Sequence, residues 1–434
     1  MRDPERRLSE TRSHTRRRFL ALAGATGAVG LAGCGGDGGD GGDGDSGDGG
    51  DGGSTDGSPS DLGTATVGVV NPITGAYSSL GPGQRNGAKL AVSQINGSDQ
   101  YDLELDAVFE DTGTEAGAAQ QSAQKLVQED GARYLFGAIS SSVALSLNEF
   151  AGQEEFVYFP GGAAVPITGS ACNEWVFRVE TNTAQVAEAI SAYTVNNLGT
   201  NVWFHIADYA YGDSVYNRTK SRMQDANDEF TEVDVTRSEL GSSNYGSFIT
   251  QIGNSEADAV VLGMTGGDLI NFVNQAAEEG LKDQVDLVGP TMSFLVVRGA
   301  TKQNAVGTFG GVRYTVALET GDNGQFVDAF ESEYDGTPDN FERVGYDSLR
   351  LIAKGMQEAG STDPADARDA LEGGTFTTVL GDVTLREGDH QATNPTWMSE
   401  MVEGEGDVAT VDLLAQTEGE DALPPASDVD CEMG

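Results

Sequence analysis

Few residues in this chain are equipped for covalent chemistry, and their spacing excludes most of it. The three histidines, His14, His205 and His390, stand far apart and form no metal-ligand spacing. Neither a Gly-x-Ser-x-Gly elbow nor a Gly-x-x-x-x-Gly-Lys phosphate cradle occurs. A copper electron carrier is the alternative worth weighing for an acidic, exported chain. It needs two histidines with a cysteine and usually a methionine close by, and Cys431 and Met433 have no histidine near them. Paired carboxylates abound, but among 69 acidic residues their pairing carries no information. The expectation is a binding protein rather than an enzyme, with no metal and no cofactor.

What remains are junctions where a strand runs into a helix, the places where parallel sheets put ligand sites. Gly137-Ala138-Ile139-Ser140-Ser141-Ser142 leaves an apolar strand and opens a helix. Its hydroxyls and free N–H groups at the positive end of a helix dipole suit a carboxylate, and an ordinary serine N-cap is the plain alternative. Phe159-Pro160-Gly161-Gly162-Ala163-Ala164 leaves the next strand and can bring bare backbone against a ligand, or can be a simple connection. Asp208-Tyr209-Ala210-Tyr211-Gly212-Asp213 occupies the matching junction further on. One of its tyrosines can cover an apolar ligand face, although a half-buried packing tyrosine fits the pattern equally.

The elements that must position these junctions alternate. Strand patterns at 64–70, 103–109, 133–138 and 156–159 interleave with helical patterns at 83–95, 115–128 and 143–152. The same rhythm runs from the helix at 184–197 to the strand at 286–288, and helices at 325–334, 346–358 and 364–371 then arrive almost without strands. Short alternating segments at 377–385 and 396–402 close the pattern. The fold class is α/β: two doubly wound parallel-sheet lobes joined by three crossings, near Arg178–Thr183, Arg313–Leu318 and Thr375–Gly381. The first lobe is expected to hold 62–180 and 316–376, and the second 181–315 and 377–434.

Before the lobes lies an export pattern. Thr15-Arg16-Arg17-Arg18-Phe19-Leu20 fits a twin-arginine signal, and the weakly apolar Phe19–Gly33 is too short and too rich in Gly and Ala to stay as a spanning helix. Leu31-Ala32-Gly33-Cys34 resembles a lipoprotein cleavage site, so residues 1–33 read as a signal and Cys34 as the lipidated residue. Residues 34–61 form a Gly/Asp-rich tether with a span of roughly 25–30 Å. The expected address is the extracytoplasmic face of the cell membrane. Cys172 and Cys431 are the cysteines left, and outside the cytoplasm they are expected to pair in a disulfide, two free thiols being the alternative. The signal holds 7 of the 25 basic and 3 of the 69 acidic residues, which leaves 18 against 66 and a formal charge of −48. That charge repels nucleic acid and anionic membrane surfaces, and points to a halophile working in concentrated salt.

Taken in order, the segments resemble a known family. Val67-Gly68-Val69-Val70-Asn71-Pro72-Ile73-Thr74-Gly75, the Gly87-Ala88-Lys89-Leu90-Ala91-Val92-Ser93-Gln94-Ile95-Asn96 helix and Phe109-Glu110-Asp111 look like the leucine/isoleucine/valine-binding proteins, as do Tyr211-Gly212 and Thr378-Val379-Leu380-Gly381. These are solute receptors of branched-chain amino acid type ABC importers, and the resemblance spans about Thr64 to Met398. It implies a periplasmic binding protein type I-like fold closing over a small ligand, an ABC permease as partner, and no catalysis. It implies that Ser141, with Ser142 beside it, holds a ligand carboxylate and that Gly161 offers backbone. Tyr211, Tyr346 and Leu80 would line the cleft. The chain departs from the family pattern at three positions: Ala163 replaces a threonine, Thr265 a tyrosine, and Thr291 the glutamate that would pair with a ligand ammonium. A branched-chain amino acid is the first expectation, with Asp208 or Asp268 taking over the ammonium. An amide, urea-like or carboxylate ligand, or a sensing role toward a membrane partner, is the alternative.

Overall fold

The computed structural model describes residues 62–404, 406–425 and 429–433. The expected signal, Cys34 and the tether lie outside the described residues. From residue 62 the strand–helix alternation is realised. Strands β1 (Gly63–Asn71), β2 (Leu103–Asp111), β3 (Tyr134–Gly137) and β4 (Val157–Pro160) alternate with helices α1 (Gly81–Asn96), α2 (Ala116–Gln128) and α3 (Ser141–Glu154). They make one parallel sheet in the order β2-β1-β3-β4. Every residue of β3 and β4 is buried, as strands covered by helices on both faces require.

The second half repeats the plan. Helix α4 (Thr183–Tyr193), β5 (Asn201–Ala207), α5 (Ala210–Ala226), β6 (Thr231–Ser238) and α6 (Gly246–Gly253) come first. There follow β7 (Ala259–Gly263), α7 (Gly266–Glu278), β8 (Asp286–Gly289), α8 (Leu295–Thr301) and β9 (Phe309–Val312). Helices α9 (Asn323–Tyr334), α10 (Asn340–Ala359) and α11 (Pro364–Leu371) then return to the first lobe, where α10 packs along α1. The hairpin β10 (Thr375–Thr378) and β11 (Gly381–Thr384) precedes β12 (Thr396–Val402), β13 (Thr410–Thr417) and the short α12 (Gly419–Ala422). The second sheet runs β13-β12-β9-β8-β7-β5-β6, parallel from β6 to β9 and antiparallel at β12 and β13.

Two details differ from the sequence expectation. Helix α10 starts at Asn340 rather than Tyr346, because Asp339 and Glu342 form a capping box ahead of its apolar stripe. The third crossing falls between Ala392 and Thr396 rather than near Thr375–Gly381. Phe376, Val379, Leu380, Val383 and Leu385 are buried in the first lobe's core, so the hairpin and the segment after it stay with that lobe. The Val379 amide donates to Asp347 on α10, which fixes the hairpin turn there (3.1 Å).

Four apolar side chains of the first lobe, Tyr77, Leu80, Ile139 and Phe341, belong to the second lobe's core cluster. The lobes are therefore closed on each other at the carboxyl ends of their strands. A disulfide joins Cys172 to Cys431, tying the chain beyond β13 to the segment that follows β4.

Candidate functional site

In both sheets the strand order reverses beside the first strand of the lobe, between β1 and β3 and between β5 and β7. Such reversals leave a crevice beyond the strand ends. On the first lobe it is built at the start of α3. Ala138 adopts a left-handed backbone (φ 58°), rare for a residue with a Cβ, and this turns the chain sharply out of β3. Ser140 is the N-cap but its side chain caps nothing, so the plain N-cap reading does not describe these serines. Ser141 is buried, and its Oγ accepts from the Ala164 N–H at 3.1 Å. An accepted bond leaves the hydroxyl proton to be donated. Ser142 is exposed.

The loop after β4 packs under Ser141. Gly161 allows close approach: a Cβ there would stand 2.3 Å from the side-chain nitrogen of Gln84. That nitrogen is buried and unpartnered, while the Gln84 oxygen accepts from Asn71. Arg178, fully buried, holds the loop from below by donating to the Gly162 and Ala164 carbonyls at 3.2 and 2.6 Å. Burial pushes the Arg178 guanidinium down to about 9. Ala163 leaves this loop to join the second lobe's cluster with Tyr211.

On the second lobe the ends of β5, β7, β8 and β9 converge. Tyr211, in the first turn of α5, is buried, and burial raises its hydroxyl pKa. Its OH accepts from Arg313 just past β9 at 3.2 Å, and Thr291 lies beside it. The Thr291 hydroxyl donates to the Met264 carbonyl at 3.2 Å. Thr265 is the N-cap residue of α7, and its hydroxyl is buried without a partner. Leu80 reaches across from the first lobe to lie against Gly266, next to Thr265. Beside it the Tyr77 hydroxyl meets that of Tyr209, one from each lobe.

Ser141, Gly161, Ala163, Tyr211 and Thr291 therefore form one group, and Leu80 and Thr265 a second. The Tyr209 and Tyr211 rings, 6.0 Å apart, join the two groups. Tyr346 belongs to neither. One and a half turns into α10, it packs on Phe326 (4.7 Å), bonds Gln94 at 2.6 Å and lines a separate outer cavity of about 470 Å³ with Arg350 and Asp322. Phe341, at the start of α10, takes its place in the cleft, edge-on to Phe294 (5.5 Å). Asp208 is exposed and paired with Arg237, which Asp213 shares. Asp268 is buried, accepts from the Gly241 N–H at 3.0 and 3.1 Å and faces Tyr245; burial raises its pKa to about 6.

Sequence reasoning missed the charged centre of the crevice. Glu180, in the first crossing, has no exposed surface and pairs with Arg313 of the second crossing at 2.7 Å. It accepts from Asn340 at 3.0 and 3.3 Å and lies 3.9 Å from Arg343. The signal was legible: opposite charges standing at two crossings that must touch. His205 and His390 are structural, the first stacked among Phe248, Tyr245 and Phe272 and the second on Phe177. Among the described residues no group of His, Cys, Asp and Glu is arranged to hold a metal.

Two lobes with matched strand-end junctions, closed over a crevice and crossed by three segments, define a solute-binding receptor. The periplasmic binding protein family model matches residues 64–406, and the chain belongs to that family. It is 22% identical to the leucine-, isoleucine-, valine-, threonine- and alanine-binding protein of Pseudomonas aeruginosa, over 75% of this chain and 86% of that one. It is 25% identical to Leu/Ile/Val-binding protein homolog 3 of Brucella melitensis, over 74% and 87%. Among solved structures, an amino acid ABC transporter substrate-binding protein from Pseudomonas fluorescens superposes with a TM-score of 0.76 at 22% identity, covering 85% of this chain and 99% of that chain. A Rhodopseudomonas palustris solute-binding protein in complex with benzoate gives 0.74 at 21%, covering 85% and 100%. The family is one of extracytoplasmic solute receptors of ABC transporters, not of enzymes.

Proposed function

We propose that this chain is a lipid-anchored receptor, held outside the membrane by Cys34 and its tether, that hands a small organic carboxylate to an ABC permease. The observation that carries the ligand class is Ser141. It sits buried at the start of α3, accepts from Ala164, and has its hydroxyl proton left to donate beside the free N–H groups of the helix start. The buried Arg178 beneath the same loop adds positive charge. The acidic surface supports work in concentrated salt.

A branched-chain amino acid is a second reading, favoured by the names of the curated relatives and by Asp268, the buried acid near the Tyr77–Tyr209 contact. An ammonium left without an ionic partner costs several kcal/mol, so this reading needs Asp268. Calorimetry in molar KCl tests the proposal with leucine, 4-methyl-2-oxopentanoate, benzoate and the amide of each. At least one carboxylate should bind, its amide should bind weakly, and Ser141→Ala should lower affinity about 10- to 100-fold, as loss of a charge-assisted hydrogen bond predicts. Amides that bind as well as their acids would refute a carboxylate subsite at Ser141.

A further inference from the structure

We propose that the cleft selects a small organic anion with an oxygen acceptor at each end and no ammonium, its far acceptor being held by Arg313. The inference rests on the receptor reading above and assigns the end of the ligand opposite Ser141. In a chain where acids outnumber bases 69 to 25, the three largest fully buried side chains are arginines: Arg178, Arg313 and Arg343. Arg178 and Arg313 stand at crossings, and Arg343, on α10, reaches the first crossing through the Val179 carbonyl. A buried guanidinium needs a counter-charge or a full set of acceptors.

Arg178 has its acceptors: Gln391, Thr168 and two carbonyls. Arg343 donates to the Val179 carbonyl and the Asn340 side-chain oxygen, both at 3.0 Å, and its Nε, like that of Arg313, is buried with no partner, so what distinguishes Arg313 is its place beside Tyr211. Arg313 shares one carboxylate, Glu180, with Arg343 and Asn340. Its second nitrogen donates to Tyr211, and its Nε is buried with no partner. Its guanidinium carbon stands 5.8 Å from the Tyr211 ring centre and 5.7 Å from that of Phe294, so aromatic walls frame it at the strand ends. A group that seats beside Tyr211 and Thr291 meets this cation. Among the described residues the acid paired with Arg313 is Glu180, which Arg343 also approaches. An ammonium at this place is repelled. A carboxylate, a phenol or a carbonyl oxygen can take the Nε–H and complete the set.

The second lobe is thus reversed in sign from a receptor whose glutamate binds ammonium. Of the other acids of the crevice, Asp268 turns both oxygens to the Gly241 N–H and toward Tyr245, while Asp339 and Glu342 lie on the Leu80 and Phe341 side, where Asp339 accepts from the Leu295 N–H.

Two probe series on fixed skeletons test this on the full chain in molar KCl, by calorimetry. One is benzoate, 4-hydroxybenzoate, benzene-1,4-dicarboxylate and 4-(aminomethyl)benzoate; the other is pentanoate, glutarate and 5-aminopentanoate. In at least one series a two-acceptor member should bind about tenfold or more tighter than the plain carboxylate, with the ammonium member weakest. Arg313→Gln should erase that ratio and Arg313→Lys should keep part of it, whereas Ser141→Ala should weaken every member alike. An ammonium member that binds as tightly as the two-acceptor member overturns the proposal and leaves the receptor reading standing. So does an unchanged ratio in Arg313→Gln. If no probe of either series binds, the carboxylate reading falls with it. Should Arg313→Gln fail to fold by circular dichroism, the wild-type ratios alone decide.

Discussion

Asp268 shows what burial does to a single group. Its carboxyl has 4% of its residue surface exposed, and desolvation raises its pKa to about 6 against the bond from Gly241. A raised acid binds its proton in the folded state before the unfolded state does. Stability therefore rises as pH falls from about 6 toward 4, and the gain is absent above the folded value. Asp339 and Glu342, raised by burial to about 6 and about 7, act in the same direction. Asp111, where the hydrogen bonds from Gly113, Thr74 and Ile73 together outweigh desolvation and lower the pKa to about 2, opposes them only at lower pH, whereas His205, lowered by burial to about 4, offsets part of the gain below about pH 6.5. The melting temperature in molar KCl should rise between pH 7.5 and pH 5. In Asp268→Asn, which keeps an oxygen for Gly241, the rise should be smaller by a share worth about 1.4 kcal/mol and stability at pH 7.5 should be higher. A variant whose profile runs parallel to the wild type would show that Asp268 is not the titrating group.

At the scale of elements, one side chain serves two helices. Asp339 is the N-cap of α10 in the first lobe, and its carboxylate also accepts from the Leu295 N–H that opens α8 in the second. The contact exists only while the lobes are closed. Asp339→Ala should cost about 1–2 kcal/mol as a lost cap and also shift the molecule toward an open form. Small-angle scattering on ligand-free protein should show a larger radius of gyration, and ligand affinity should fall; an unchanged radius would mean that Asp339 does not hold the lobes. The same residue marks a limit of sequence reading. The strands and helices up to β8 were legible because their apolar period is clean and their junctions carry Gly and Ser. The start of α10 was not, because its first turn is polar and stabilised by capping, so the apolar stripe begins late; Tyr346, which the resemblance assigns to the cleft, lies against Phe326 and the outer cavity. The hairpin β10–β11 alternates like any strand pair, and alternation does not say which lobe buries it. Ser141, Gly161, Ala163 and Tyr211 lie on strand-end junctions that the sequence pattern marks. Arg313 and Glu180 pair across 133 residues, which no local period encodes; only their places at two crossings that must touch could have pointed to the pair.

For the molecule as a whole, charge governs the conditions under which this architecture holds. Without residues 1–33 the chain carries 66 acidic and 18 basic side chains. Cations that do form pairs often serve two acids: Arg237 takes Asp208 and Asp213, Arg350 takes Asp322 and Asp347, and Arg368 takes Glu174 and Asp369. With so few cations, most surface carboxylates have only solvent and dissolved cations to offset them. The disulfide between Cys172 and Cys431, 259 residues apart, opposes unfolding by up to about 5 kcal/mol in the chain-entropy model, but it leaves that repulsion in place. In molar salt the screening length is about 3 Å, and each charge acts on its nearest neighbours alone; below about 0.1 M it exceeds 10 Å, and repulsion adds up across a whole lobe. Closure adds to the cost, since it brings two acidic lobes together. Melting temperature should therefore fall steeply as KCl is lowered from molar to millimolar at fixed pH, and the loss should persist when the disulfide is intact. Replacing KCl by an equal osmolarity of sucrose, which screens nothing, should fail to restore it. A melting temperature that stays level from molar to millimolar KCl would contradict this account of the surface.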